Sequence, residues 1–112
     1  MNESYQFIEL YRNDTKPQVE LSFSYSFSAH NSVDLSLVES ITLYLKRSTY
    51  QDEYDLVKEI SMIDREKGKA VIVWNDDDLD LEEGIYNGTI KIQYSDGSVE
   101  TVKQTLKFRI RE

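Results

Sequence analysis

The chain has 112 residues, of which 21 are Asp or Glu and 13 are Lys or Arg, so its formal net charge is −8. This length predicts one domain, residues 1–112, that can bury a single core without a metal or disulfide. The negative charge disfavours nucleic acid and anionic membrane as partners, because phosphate binding needs a basic patch. The lack of cysteine excludes disulfides and thiolate chemistry, and no apolar run approaches the ~20 residues of a membrane span.

The first predicted strand covers residues 5–11. Its aromatic residues fall on one side and its aliphatic residues on the other: Tyr5, Phe7 and Tyr11 against Ile8 and Leu10. Because both sides are partly apolar, we expect a sandwiched strand or an edge strand covered by a partner. A polar segment that ends in Pro17 then breaks the strand, since proline cannot donate to a ladder.

The clearest alternation runs through residues 19–28. Apolar residues at odd positions alternate with polar residues at even positions: Val19, Leu21, Phe23, Tyr25 and Phe27 against Glu20, Ser22, Ser24, Ser26 and Ser28. A slip of one residue would exchange the aromatic face for the serine face, so we expect a central strand with its aromatics in the core. The alternative is an exposed aromatic stripe that binds a sugar or a protein partner.

Residues that could carry catalysis are scarce. His30 is the only histidine, it lies in a loop-like segment, and no acid or nucleophile accompanies it at a recognisable spacing. A hydrolase would need a nucleophile beside a base and an orienting acid. The four glycines form no phosphate-binding loop. We therefore predict no enzymatic activity, no catalytic residue and no cofactor.

Three further segments predict strands: residues 41–46, 56–63 and 70–74. In the second segment, Ile60 and Met62 are the surest inward residues. The third segment is apolar on both faces, with Ala70, Ile72 and Trp74 opposing Val71 and Val73. Such a strand is either buried on both faces within the domain or covered by a partner.

Residues 75–83 form the most acidic stretch of the chain, with six acidic side chains. A calcium loop is one hypothesis, but Leu81 stands where the EF-hand spacing needs a glycine. A short helical turn capped by Asn75 or Asp76, with Leu79 and Leu81 tucked inward, fits better. We therefore predict no metal ligand here.

Residues 84–110 predict a hairpin on which the fold is organised. The inward residues are Tyr86, Gly88, Ile90, Ile92 and Tyr94 before the turn, and Val102, Gln104, Leu106, Phe108 and Ile110 after it. Asp96 and Gly97 suit a two-residue hairpin turn, because both tolerate positive φ. An isolated hairpin is marginal in water, so its apolar face must lie against a second layer. About seven short strands with regular turn signals predict an all-β, immunoglobulin-like antiparallel β-sandwich.

Four motifs follow one another along nearly the whole chain. They are Asn13-Asp14-Thr15-Lys16-Pro17; Val33-Asp34-Leu35-Ser36 followed by Ile41-Thr42-Leu43-Tyr44-Leu45; Lys67-Gly68-Lys69-Ala70-Val71; and Gly84-Ile85-Tyr86 followed by Tyr94-Ser95-Asp96-Gly97. Their order and spacing resemble the immunoglobulin-like N-terminal domain of baseplate upper proteins in phages and prophages of Gram-positive hosts. Members of that family usually continue into helical and receptor-proximal regions. We therefore expect either a stand-alone accessory protein or the attachment domain of a longer one.

The resemblance implies a structural virion component of a phage tail or baseplate, made in the host cytoplasm. Such a domain attaches to other tail or baseplate proteins through sheet faces or edges and holds host-recognition parts in place. Five residues from the two strands that are apolar on both faces are the predicted partner-binding residues: Tyr5, Phe7, Tyr11, Val71 and Val73. The alternative is that these residues complete the core. A homo-oligomer stays open.

Two other functions stay open. A carbohydrate-binding or adhesion module would need Trp74 or several tyrosines exposed in a shallow groove. An acidic inhibitor that imitates nucleic acid would need a long stripe of acids, whereas the acids are scattered outside residues 75–83.

Overall fold

The computed structural model describes residues 7–23, 34–47, 51–102 and 105–112. Eight strands lie within these ranges: β1 (Ile8–Tyr11), β2 (Val19–Ser22), β3 (Val38–Lys46), β4 (Leu56–Asp64), β5 (Lys69–Ile72), β6 (Gly84–Tyr94), β7 (Val99–Thr101) and β8 (Leu106–Arg111). The described residues contain no helix, so the all-β prediction is confirmed. Accordingly, none of them belongs to a helix long and apolar enough to cross a membrane.

The strands form one curled sheet in the order β1-β8-β6-β3-β4-β5-β2, and β7 pairs with β6 beside this path. Strand β4 turns the corner of the sheet, because residues 56–60 pair with β3 whereas residues 61–64 pair with β5. The larger layer therefore contains β1, β8, β6, β7, β3 and the first half of β4. The smaller layer contains the second half of β4, β5 and β2.

A single cluster of buried side chains lies between the two layers. Its members are Leu10, Leu35, Val38, Ile41, Leu43, Leu45, Ile60, Ala70, Ile72, Trp74, Leu79, Tyr86, Ile90, Ile92, Phe108 and Ile110. Trp74 follows β5, and its ring forms a T-shaped pair with Phe108 on β8, with 6.1 Å between the ring centroids. The Nε1–H of Trp74 donates to the Pro17 carbonyl oxygen at 3.0 Å. Burial of the indole is favourable because this polar atom is satisfied.

Strand β6 follows the predicted faces. Tyr86, Ile90 and Ile92 are 2–4% exposed, and Gly88 is buried beside them. A Cβ atom at Gly88 would lie 2.8 Å from Phe108 Cε2 and 3.1 Å from Leu43 Cδ1. The space above Gly88 is therefore filled by side chains of the two neighbouring strands, β8 and β3, which a side chain at this position would displace.

The turn after β6 differs from the predicted two-residue turn. The Gly97 N–H donates to the Tyr94 carbonyl at 2.9 Å, and the Tyr94 N–H donates to the Ser98 carbonyl at 2.8 Å. This is a three-residue loop whose last residue, Gly97, has φ +90°. Asp96 accepts hydrogen bonds from the N–H and hydroxyl of Ser98, and this local bonding favours the longer loop.

The chain that returns after the hairpin turn is divided into two strands, β7 and β8, where the sequence predicted one. The described residues therefore contain eight strands rather than the predicted seven or so. Ile92 pairs with Glu100, and Gly88 pairs with Leu106. Six steps along the returning chain thus face four steps along β6. The predicted inward faces survive this irregularity, since Phe108 and Ile110 are buried and Leu106 packs against the core. Gln104 lies outside the described residues.

The strand predicted at residues 19–28 does not take a central position among the described strands. Its described part, β2, lies at the end of the described sheet and pairs there with β5. Val19, Leu21 and Phe23 do pack against the core, so the predicted inward face is confirmed for these residues. Alternation identifies the buried face of a strand but not its number of neighbours. Tyr25, Phe27 and His30 lie outside the described residues.

The prediction of a wholly antiparallel fold is wrong at one pair. Strand β1 pairs with β8 in parallel, with Ile8 opposite Phe108 and Leu10 opposite Ile110. Ile8 and Leu10 share the inward face, and β1 is an edge strand in the described part of the sheet. Side-chain alternation is the same for both strand directions, so the sequence pattern contains no signal for this choice.

We predict that Gly88→Ala lowers the free energy of unfolding by about 1–3 kcal/mol, the usual cost of overpacking. The added methyl group meets Phe108 and Leu43, and this cost exceeds the ~0.4–1 kcal/mol that Gly→Ala gains through the unfolded chain. Urea unfolding followed by the fluorescence of Trp74 measures the change. The control is Gln93→Ala on the exposed side of β6, expected within about 0.5 kcal/mol of the parent. Equal stability of Gly88→Ala and the parent would contradict this packing.

Candidate protein-docking surface

The structure separates the predicted partner-binding residues. Tyr5 lies outside the described residues. Phe7 and Tyr11 belong to the β1 edge of the larger layer, whereas Val71 and Val73 lie on or after β5 in the smaller layer. Along the sheet, β8, β6, β3 and β4 stand between β1 and β5. The predicted residues therefore do not form one surface.

Phe7 and Tyr11 lie beside the cationic side chains of β8. The Arg109 guanidinium carbon lies 4.8 Å from the centroid of the Phe7 ring. Glu9 accepts a hydrogen bond from Arg111 Nη2 at 2.9 Å, and Arg109 Nη1 lies 3.8 Å from the same carboxylate oxygen. Tyr11 is 53% exposed and stands opposite Arg111 in the ladder. This edge thus has an aromatic surface held by cation–π and ionic contacts.

Val71 and Val73 differ in exposure. Val71 stands opposite Ser61 and Glu20, and it is only 8% exposed. Strand β5 is therefore buried on both faces within the domain, which favours the core interpretation for Val71. Val73 is half-buried and lines an open depression of about 710 Å³. Val73 is thus the more accessible of the two.

The acidic stretch forms a turn over residues 76–79. Leu79 is buried and Leu81 packs against the core, as predicted. The Asp78 carboxylate accepts a hydrogen bond from the Asn75 N–H at 2.7 Å, as the side chain three residues after the cap does in a capping box. The same carboxylate lies 2.7 Å from Lys58 Nζ. Lys58 stands on the inward-facing side of β4, opposite Leu43. The ion pair therefore connects the turn to β4 at the border of the core.

The ion pair of Lys58 and Asp78 is shielded from solvent, with the two side chains 13% and 19% exposed. Burial opposes ionisation of Asp78, but hydrogen bonds from Lys58 and from the Asn75 N–H outweigh it. The net effect lowers the pKa of Asp78 below its ordinary value of 3.8. Its carboxylate therefore stabilises the folded state in its charged form.

Other acids of this stretch also have internal partners. Asp80 pairs with Arg12 at 3.0 Å, and Glu82 pairs with Arg47. Within the described ranges, no group of three or more His, Asp or Glu side chains could hold a metal ion. The acidic stretch thus connects several loops of the fold through ion pairs.

The outer face of the larger layer holds a cluster that the sequence analysis did not identify. We name it the tyrosine–lysine face; its residues are Tyr44, Lys46, Tyr54, Val57, Lys91 and Lys107. The rings of Tyr44 and Tyr54 lie 4.9 Å apart between centroids. Tyr54 is 42% exposed and Val57 is 54% exposed. The ladder places Tyr44 of β3 between Val57 of β4 and Thr89 of β6.

Three lysines surround these apolar groups. Lys46 Nζ lies 4.9 Å from the centroid of the Tyr54 ring, and Lys91 Nζ lies 5.3 Å from that of Tyr44. Lys107 donates a hydrogen bond to the side chain of Asn87. Among the described residues, none of the three ammonium groups has a carboxylate oxygen within 4.0 Å. The face is therefore locally cationic in a chain of net charge −8.

The sequence contains only part of the signal for this face. Alternation places Lys91 and Lys107 on the outward sides of their strands, and Tyr44 and Lys46 on one side of theirs. It does not indicate that β3 pairs with β6, which brings these residues together.

Neither a scan against protein-family models nor a search of curated proteins gave a match. Among solved structures, the chain is similar to the crystal structure of CopC from Methylosinus trichosporium OB3b, with a TM-score of 0.50 and 13% sequence identity. The similarity covers 94% of this chain and 83% of that chain. At this identity the likeness shows the fold alone, an all-β sandwich architecture.

We predict that Asp78→Asn destabilises the fold by about 1–3 kcal/mol at neutral pH, because it leaves Lys58 charged and shielded from solvent without its partner. The lowered pKa of Asp78 means that its contribution is fully present above the unfolded value and is lost as pH falls through the folded value. The difference between variant and parent should therefore shrink below about pH 4. Urea unfolding at several pH values measures it. Asp76→Asn, at an exposed position of the same turn, is the control, and an equal loss in both variants would contradict the prediction.

Proposed function

We propose that this chain is a non-enzymatic structural module of a phage tail or baseplate. In this proposal, an immunoglobulin-like β-sandwich docks other tail or baseplate proteins and holds host-recognition parts in place. It is made in the host cytoplasm, acts in the virion and needs no cofactor. The order of the four sequence motifs supports the family, and the exposed tyrosine–lysine face is the observation that supports docking.

The surface of the larger layer has the composition of a protein interface. Tyrosine and arginine are enriched in such interfaces. The tyrosine–lysine face contributes Tyr44 and Tyr54, and the β1 edge contributes Tyr11 beside Arg109 and Arg111. Tyr54, Val57 and Tyr11 are 42–54% exposed, so these apolar groups are accessible to a partner. Strand β1 also lies at the edge of the described sheet, where a partner strand can add by backbone hydrogen bonds.

The carbohydrate-binding or adhesion module is the second candidate. Trp74 does not favour it, because its ring is 2% exposed. The pair of Tyr44 and Tyr54 favours it, since exposed aromatic rings can stack on a sugar. This pair lies on an open sheet face rather than in a deep pocket.

The tail proposal predicts that a tagged chain, expressed in cells that produce the phage, is recovered in purified virions together with tail proteins. Mass spectrometry of gradient-purified particles measures its stoichiometry. The control is the same tagged chain added to particles after assembly, which should bind less, because docking sites are filled during assembly. Recovery only in the unbound fraction, with no tail protein attached, would contradict the proposal.

The two candidates differ in sugar binding. Under the docking proposal, host cell-wall polysaccharide leaves the tyrosine fluorescence and NMR spectrum unchanged at millimolar concentration. Binding that Tyr54→Ala abolishes and Tyr11→Ala retains would favour the carbohydrate module. Tyr11 is the matched control, because it is similarly exposed but lies at the β1 edge.

A further inference from the structure

We infer that the tyrosine–lysine face binds an extended acidic segment of a partner protein. The inference deepens the proposed docking function and rests on it. It assigns the contact to the outer face of β3 and β6, and not to the predicted residues of β1 and β5. It also assigns the chemistry of the partner: carboxylates flanking an apolar or aromatic side chain.

The face has the arrangement of an apolar centre with a polar rim. Tyr54 and Val57 supply exposed apolar surface, and half-buried Tyr44 forms the floor between them. Lys46 and Lys91 lie over these rings, so their ammonium groups stay beside the apolar centre rather than far out in solvent. Interfaces use aromatic centres for affinity and charged rims for selection and orientation.

The spacing of the lysines suits an extended segment. Lys46 and Lys107 stand on either side of Asn87 in the ladder, so their backbones are about 10 Å apart across two strand spacings. Lys91 lies four residues further along β6, a distance of about 13 Å. An extended partner segment above β6 presents carboxylates of positions i and i+4 at about the same separation. Such a segment would pass over Thr89, with one carboxylate near Lys46 and Lys107 and the other near Lys91.

The charges of this chain favour an external anion. Acids outnumber cations by 21 to 13, yet the three lysines have no carboxylate within 4.0 Å in the described part of the chain. Other acids of the larger layer bind groups outside this face or lie at its corner. Glu9 pairs with Arg109 and Arg111, and Asp55 accepts from the Arg47 N–H. Glu59 is exposed at one corner, opposite Thr42.

A second copy and a nucleic acid fit the face less well. Three of the six acids in residues 75–83, namely Asp78, Asp80 and Glu82, already pair within their own chain, which leaves a second copy fewer carboxylates to offer. A nucleic acid would extend beyond this small face onto a protein of net charge −8, which repels it. A short acidic protein segment meets only the cationic face.

The test is an NMR titration of the labelled chain with poly-L-glutamate. We expect shift changes in the amides around Lys46, Thr89 and Lys91. The variant Lys46→Gln/Lys91→Gln/Lys107→Gln should weaken binding about tenfold, as expected for three exposed ion pairs. A control with the same charge change at exposed lysines elsewhere, Lys16→Gln/Lys67→Gln/Lys69→Gln, should weaken it less than about threefold by loss of long-range attraction alone. Trp74 fluorescence verifies that both variants fold.

Three results would overturn the inference. The first is equal weakening by the control variant, which means that net charge alone drives binding. The second is tighter binding of polyphosphate or duplex DNA than of poly-L-glutamate at this face. The third is self-association of the parent chain in sedimentation experiments that the first triple variant abolishes, which makes a second copy the occupant.

Capture by virions separates this inference from the tail proposal. Loss of the first triple variant from purified particles, with retention of the control variant, supports both. Retention of all three chains leaves the tail role intact and overturns the assignment of the face. If the parent chain is absent from particles but still binds poly-L-glutamate at β3 and β6 in the NMR titration, the tail role is overturned and the assignment of the face stands.

Discussion

The alternation of side chains along β6 is the constraint on which the rest of the structure depends. This strand has neighbours on both sides, β3 on one and β7 and β8 on the other. Its inward side chains fill the centre of the core, and Gly88 leaves room there for Phe108 of β8 and Leu43 of β3. The same alternation places Thr89 and Lys91 on the outer face. The tyrosine–lysine face is therefore a geometric consequence of burying the core.

The distribution of charge has two different roles. The densest group of acids lies next to the core, where Asp78 is held by Lys58 and neighbouring acids pair with arginines. The paired acids Asp78, Asp80 and Glu82 connect this stretch to other parts of the fold. The lysines of the outer face have no such partners among the described residues. The outer face is thus locally cationic, and this charge complements an acidic partner.

The architecture by itself does not indicate the function. A likeness to CopC at 13% identity concerns the fold, and one fold carries many unrelated functions. The functional proposal therefore depends on surfaces. The tyrosines and lysines on the outer face of the larger layer suit a protein interface, because they lie on an open face rather than in a cleft.

The sequence alone determined which residues face inward, because period-two alternation is a local property that each strand carries by itself. It placed Tyr86, Ile92 and Phe108 in the core and the acidic stretch in a turn. Its predicted partner-binding residues, Tyr5, Phe7, Tyr11, Val71 and Val73, include no member of the tyrosine–lysine face, and the fold buries Val71. Only the tertiary structure decided that β1 runs parallel to β8, that β4 turns the corner, and that β3 lies beside β6. Pairing depends on which distant strands together bury the core, and no local pattern contains that information.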